Sequence, residues 1–163
     1  MADDRQAGSA WAMLEHRIPP PLVMLAIAGV MIWGATVLPA VGVPLWLRGL
    51  VAAGLVGVAG LFGVPAVLGF RRVGTTVNPI RIEGTSKLVT DGVFARSRNP
   101  MYVAVVTLLL ALAVGLGVPA LLLGPVALAL FLTRFQIIPE ERMLAAKFGA
   151  EYAAYRVRVR RWV

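Results

Sequence analysis

Four long apolar runs constrain this sequence more than any other feature. They cover Leu22–Leu38, Leu47–Phe70, Met101–Leu116 and Ala120–Ile138. A membrane-spanning helix needs roughly 20 apolar residues, with about 17–25 observed, and backbone polar groups cannot stay unpaired in hydrocarbon. We therefore predict an all-α, polytopic membrane protein with about four transmembrane helices, built as a single integral membrane domain over residues 1–163.

The composition agrees with a membrane environment and excludes several functions. Apolar residues make up 59% of the chain and charged residues 15%, whereas a soluble domain has about 25% charged residues. The absence of cysteine excludes disulfides and thiolate chemistry. The single histidine, His16, cannot form a metal cluster, so we expect no metal site.

The basic residues predict the orientation in the bilayer. All of the 16 Lys and Arg residues except Arg48 lie in the N-terminal tail, in residues 71–98, or from Arg134 onward. The positive-inside rule then places both termini and the 71–98 loop in the cytoplasm. The chain has a net charge of +8, and its basic residues flank the apolar runs. We therefore expect anionic lipid as the partner and no nucleic acid. The Ala-, Val- and Gly-rich sequence indicates a prokaryotic inner membrane.

This topology divides the domain into five segments. They are an N-terminal cytoplasmic segment, a first helical hairpin, a cytoplasmic loop, a second helical hairpin, and a C-terminal interfacial helix with a tail, over residues 1–18, 19–70, 71–98, 99–138 and 139–163. Four glycines recur at every third position of the second run, at Gly54, Gly57, Gly60 and Gly63. We interpret them as a surface for close helix packing.

The cytoplasmic loop is too long for a mere spacer and is rich in turn signals. Asn78-Pro79, Glu83-Gly84 and Asp91-Gly92 mark turns. We expect the loop to fold back onto the membrane face. A surface loop that holds its basic residues against lipid is the alternative, although loops of this length inside compact domains tend to be functional.

Two further boundaries carry polar residues. Asn99 suits a helix N-cap and Pro100 the first helical position, so the third helix should begin there and offer free N–H groups to an anion. Glu140 and Glu141 follow Pro139 at the other boundary. They are either functional or simply favourable negative charges in the first turn of the last helix. Tyr102 is either functional or an ordinary tyrosine of the aromatic belt at the membrane interface.

The last helix should be amphipathic and lie on the membrane as an interfacial element. We expect it to run from about Glu140 to Val157. One face carries large apolar side chains at helical spacing, namely Leu144, Phe148, Tyr152, Tyr155 and Val159. We interpret the tail that follows as a basic and aromatic anchor at the interface, made of Arg156, Arg158, Arg160, Arg161 and Trp162.

These pieces together resemble a known family. In order, the chain contains GTTVNP, LVTDGVFARSRNPMY, an apolar hairpin, EER and FGAEYAAYRVRVRRW. This arrangement, over about Phe70 to Trp162, is similar to the isoprenylcysteine carboxyl methyltransferases and the related phospholipid methyltransferases. The chain differs at two positions: Asn99 stands where the eukaryotic carboxyl methyltransferases have His, and Ala104 where many members have Gly.

The resemblance implies an S-adenosylmethionine-dependent methyltransferase that acts on a lipophilic acceptor, either the carboxylate of an isoprenoid compound or a lipid headgroup. It also implies the residues of the site. The cofactor-binding set is Val89, Gly92, Arg98, Asn99, Pro100, Tyr102, Glu140, Glu141, Tyr152 and Tyr155. The catalytic set is Arg156, Arg160 and Glu141.

Two other interpretations stay open at this point. The sterol reductases resemble this family in their C-terminal half, so an NADPH-dependent membrane reductase is one. A non-catalytic membrane assembly protein is the other, and it predicts no affinity for a cofactor. The sequence does not reveal the acceptor atom or the oligomeric state.

Overall fold

The computed structural model describes residues 19–72 and 88–163. This part of the chain contains helices and turns and no strand. The five α-helices are α1 (Pro20–Gly34), α2 (Leu45–Arg72), α3 (Pro100–Leu116), α4 (Leu123–Leu132) and α5 (Ile138–Arg158). Short 3-10 helices at Gly92–Ala95 and Pro119–Leu122 precede α3 and α4, and a π-helix at Thr133–Ile137 joins α4 to α5.

The all-helical prediction is confirmed for the described residues, and membrane integration is supported. Two helical segments are long and apolar enough to cross a bilayer, Leu45–Gly69 and Pro119–Arg158. The apolar helices Pro20–Gly34 and Pro100–Leu116 are shorter. Each of the four apolar runs therefore forms helix, while the number of spans stays a prediction.

Helices α2 and α3 pack along each other through small residues. A Cβ built on Gly63 would lie 3.1 Å from the Ala104 Cβ, and one on Gly115 would lie 3.9 Å from the Ala52 Cβ. The packing interpretation of the glycine repeat is thus confirmed for Gly63. Cβ atoms on Gly54, Gly57 and Gly60 would meet nothing within 4 Å, so these three glycines are not needed for contacts in the described structure.

A core of large apolar side chains lies between α1, α3 and α4. Leu128, Leu132 and Ile137 are fully buried there, together with Met31 and Leu109. In hydrocarbon such contacts stabilise through close packing rather than through the exclusion of water. This packing positions the end of α4 and, with it, Glu140 and Glu141 in the helix that follows.

A tight turn joins α3 to α4. Gly117 ends α3 with a left-handed backbone (φ 70°), which glycine adopts without steric cost. The Arg48 guanidinium caps the helix, because Nη1 donates to the carbonyl of Leu116 at 2.9 Å. A cation at a helix C-terminus is favourable, so Arg48 stabilises the C-terminal end of α3.

The last helix does not begin as a separate element, contrary to the prediction. Helical backbone continues from α4 through the π-helix into α5, because Ile137 and Ile138 keep helical φ and ψ. Pro139 lacks an N–H and would break an α-helical bond, but the changed bonding of a π turn accommodates this loss. The interruption lies instead at Gly149 (φ 48°, ψ −117°).

Several predictions concern residues outside the described ranges. These are the N-terminal segment with His16, and the turns at Asn78-Pro79 and Glu83-Gly84. The Asp91-Gly92 turn is described: Gly92 has a φ of 59° and begins the 3-10 helix before α3.

The α2–α3 contact gives a testable prediction. Gly63→Leu should push the helices apart, because a Cβ at this position is already at 3.1 Å from Ala104. We expect a loss of about 1–3 kcal/mol, as is typical of overpacking, measured as a lower midpoint of thermal unfolding in detergent. Gly57→Leu is the matched control and should leave the midpoint unchanged; equal effects of both variants would contradict this packing.

Candidate functional site

The polar residues predicted to form a site converge at one end of the bundle. Three elements meet there: the start of α3, the first turns of α5, and residues 159–163, which we call the C-terminal strap. Val159 has an extended backbone (φ −123°, ψ 131°), so the strap leaves the helix and returns to residues 97–99. The backbone N–H of Arg98 donates to the carbonyl of Arg160 at 3.0 Å.

The carboxylate of Glu141 lies at the centre of this end. Arg161 binds it with two parallel hydrogen bonds, from Nε to Oε1 at 3.1 Å and from Nη2 to Oε2 at 2.7 Å. Arg98 Nη2 contacts Oε1 at 3.1 Å. These bonds raise the pKa of the Arg161 guanidinium above its ordinary value. Glu141 therefore pairs with two arginines through both of its oxygens, and the three groups together keep one net positive charge.

The Arg98 guanidinium is buried with donors to spare. Its side chain is only 10% exposed, and its Nε and Nη1 atoms have no hydrogen-bond partner among the described residues. A buried, unpartnered donor is costly, and most such groups in proteins are satisfied. These two nitrogen atoms, which carry three N–H groups, are thus buried donors that no described residue satisfies.

Asn99 occupies the N-cap position of α3, as predicted, but its side chain makes no capping bond. Its Nδ2 donates instead to the carbonyl of Arg161 at 2.9 Å, and its backbone N–H donates to Ser97 Oγ at 3.1 Å. The predicted start of α3 is confirmed, and the Asn99 amide bonds to the strap rather than to the first turn of the helix. The first turn of α3 consequently keeps N–H groups that its cap residue leaves free.

Tyr102 and Glu140 form a second polar pair beside the first. The Tyr102 hydroxyl donates to Glu140 Oε1 at 2.5 Å. Tyr102 lies in the first turns of α3 and Glu140 in the first turn of α5, so this bond ties the two helices together. A carboxylate has about four acceptor sites, and Glu140 therefore retains capacity for a ligand.

Two tyrosines of α5 form the apolar wall of the site. Tyr152 and Tyr155 are buried with Val159, and Leu88, Leu144 and Phe148 pack against them. This confirms the predicted apolar face. The Tyr155 hydroxyl donates to the carbonyl of Phe94 at 2.7 Å, which holds the 3-10 helix onto α5. Tyr152 interacts electrostatically with Glu141 and Arg98.

The remaining predicted site residues lie at the margin. Val89 is half-buried and Gly92 is exposed, and both stand in the segment that leads into α3. Pro100 is buried at the first helical position. The Arg156 and Arg160 side chains are exposed, and only the main chain of Arg160 joins the cluster.

Sequence reasoning missed four residues. Arg161 and Trp162 were interpreted as part of an interfacial anchor, but Arg161 binds Glu141 and Trp162 packs against the core of α1, α3 and α4. Ser97 is fully buried between the strap and Asn99. Gln136, only 1% exposed, lies in the π-helix. Gln136 alone had a signal in the sequence, because it is a polar residue inside the fourth apolar run.

Comparison with known proteins identifies what the chain is similar to. A family model described as phospholipid methyltransferase matches residues 47–151, more than half of the chain. An uncharacterized protein of Haemophilus influenzae is 41% identical over 63 residues, which are 39% of this chain and all of that relative. No solved structure matches significantly.

The Glu141 ion pairs give a second testable prediction. Glu141→Gln should lower stability by about 3–5 kcal/mol, the usual loss when one partner of a buried ion pair is removed, because the buried Arg98 loses its counter-charge. Glu151→Gln, on the exposed side of the same helix, is the matched control and should change little. Thermal unfolding of the purified variants measures both; an unaltered midpoint for Glu141→Gln would refute the central role of this carboxylate.

Proposed function

Because this chain belongs to the phospholipid methyltransferase family, we propose that it is an S-adenosylmethionine-dependent methyltransferase integral to the membrane. Its acceptor is lipophilic: a lipid headgroup, or the carboxylate of an isoprenoid compound. The reaction takes place at the cytoplasmic interface. The observation that carries the proposal is the buried Arg98 guanidinium with two unpartnered donors, next to a carboxylate and aromatic side chains.

The residues at this end suit the parts of the cofactor. Its carboxylate fits the free N–H groups of Arg98 and of the first turn of α3, since both favour an anion. Its ammonium or its ribose hydroxyls fit the remaining acceptor sites of Glu140. Its sulfonium fits the faces of Tyr102 and Tyr152, because cations are attracted to aromatic rings.

The paired acids divide their work in this proposal. Glu141 already accepts from Arg98 and Arg161 through both oxygens, so its role is to hold Arg98 in place. Among the described residues, Glu140 has one hydrogen bond, from Tyr102, and it is the better candidate for direct contact with the cofactor. Val89 and Gly92 border the cofactor from the segment before α3, and Tyr155 holds that segment in place.

The chemistry demands little of the protein's own side chains. When bound, S-adenosylmethionine would supply the electrophilic methyl group of its sulfonium, whose sulfur is displaced as a neutral thioether while the acceptor's lone pair forms the new bond to carbon. The chain aligns the acceptor with this methyl and keeps water out. Exposed Arg156 and Arg160 suit the negative charge of a carboxylate acceptor or of a headgroup phosphate.

The proposed topology agrees with the position of the site. Arg98, Glu141 and the exposed Arg160 of the strap lie at one end of the bundle, and Arg48 lies at the opposite end of α3. Four spans, with both termini in the cytoplasm of a prokaryotic cell, put the cofactor on the side where it is made. The acceptor then enters sideways from the inner membrane.

Ligand binding tests this proposal against a reductase or a non-catalytic protein. Purified protein should bind S-adenosylhomocysteine in calorimetry and show no heat with NADPH, because the site offers a single compact anion subsite. Binding of NADPH alone would support the reductase, and binding of neither ligand would support the assembly protein. Either result would overturn the proposal.

Methyl transfer tests the acceptor and the roles of Glu140 and Tyr102. Membranes that contain the protein should incorporate labelled methyl from the cofactor into extractable lipid. Glu140→Gln and Tyr102→Phe should each lower the rate roughly tenfold or more, as expected for the loss of a charge-assisted hydrogen bond. Glu151→Gln should retain the wild-type rate; full activity in both site variants would remove these assignments.

A further inference from the structure

The C-terminal strap makes more contacts with the site than an interfacial anchor would need. The Arg161 guanidinium occupies both oxygens of Glu141, at 3.1 and 2.7 Å. The Arg161 carbonyl accepts from Asn99 Nδ2 at 2.9 Å and lies 3.5 Å from Ser97 Oγ. Arg161 therefore contacts both Glu141, which binds Arg98, and Asn99, which stands at the N-terminus of α3.

The first consequence concerns Arg98. A carboxylate prefers to bind a guanidinium through two parallel hydrogen bonds. Because Arg161 takes that geometry at Glu141, the contact of Arg98 with this carboxylate is a single one, from Nη2 to Oε1 at 3.1 Å, and Arg98 also interacts with Tyr152. Its Nε and Nη1 remain without a partner. Without Arg161, Glu141 is free to turn onto Arg98 and use those donors itself.

The second consequence concerns the N-terminus of α3. An asparagine at an N-cap normally accepts from the N–H groups of the first turn. Asn99 makes no such bond, and its Nδ2 donates to the Arg161 carbonyl, which orients the amide toward the strap. The strap thereby leaves these N–H groups open, next to the free donors of Arg98.

We propose that Arg161 is a positioning residue of the cofactor site. Its guanidinium occupies Glu141 and its carbonyl holds Asn99, and together these contacts keep Arg98 and the start of α3 open for the carboxylate of the cofactor. This inference rests on the proposed function. It assigns a task to a residue that neither the sequence motifs nor the family match distinguishes, since the match ends at residue 151.

Two ligands that differ in the carboxylate test the inference. S-adenosylhomocysteine carries the amino acid group, and 5′-methylthioadenosine lacks it. Arg161→Gln should weaken binding of the first roughly tenfold, as for the loss of a hydrogen bond to a charged group, and of the second less than about twofold. Arg161→Lys should restore only part of the affinity, because an ammonium cannot bind both carboxylate oxygens in the same way.

The control variant and a double variant complete the experiment. Arg158→Gln removes the same charge from an exposed position three residues away and should bind both ligands as the wild type does. Glu141→Gln combined with Arg161→Gln should bind S-adenosylhomocysteine no more weakly than Glu141→Gln alone, because Arg161 acts through Glu141.

The outcomes separate this inference from the proposed function. Wild-type affinity in Arg161→Gln, or an equal loss of both ligands with a lower unfolding midpoint, would overturn the positioning role while the enzyme assignment stands. Wild-type protein that binds neither ligand would overturn both. A selective loss of the carboxylate-bearing ligand supports the inference.

Discussion

The ion pairs of Glu141 are the interaction on which the functional end of this molecule depends. Arg98 precedes α3, Glu141 begins α5, and Arg161 lies in the strap, so one carboxylate joins three elements that are far apart in sequence. Burial makes an unpaired charge costly, so these pairings hold the start of α3, the first turn of α5 and the strap against one another. The same arrangement leaves Arg98 with donors that no described residue uses.

The apolar helices position these charges. Close packing of α2 on α3 at Gly63, and of α4 in the core at Leu128 and Leu132, holds the ends of α3 and α4 side by side. The π turn then carries the helix past Pro139 without a break, so Glu140 reaches Tyr102 and Glu141 reaches Arg98. The requirement that helices satisfy their own backbone in lipid thus produces a rigid frame, and the polar site lies at its rim.

The sequence predicts the frame better than the site. The lengths of the apolar runs and the turn residues locate α1 to α4, because helices and turns are determined mainly by residues that are close in sequence. The face with Tyr152 and Tyr155 follows from helical periodicity. The partner of Glu141 did not follow, because Arg161 is one of four arginines within residues 156–161 and no pattern distinguishes it. The bond of the Asn99 side chain to the strap did not follow for a related reason: its acceptor is a main-chain carbonyl, which leaves no trace in sequence.

The central claim is that the start of α3, the first turns of α5 and the strap enclose one cofactor. Ultraviolet cross-linking of tritium-labelled S-adenosylmethionine, followed by mapping of the labelled peptides, tests it most directly. We expect label on peptides that contain Tyr102 and Tyr152, and its loss when excess S-adenosylhomocysteine is present. Label confined to peptides of α1, or label that competitor does not displace, would contradict the account.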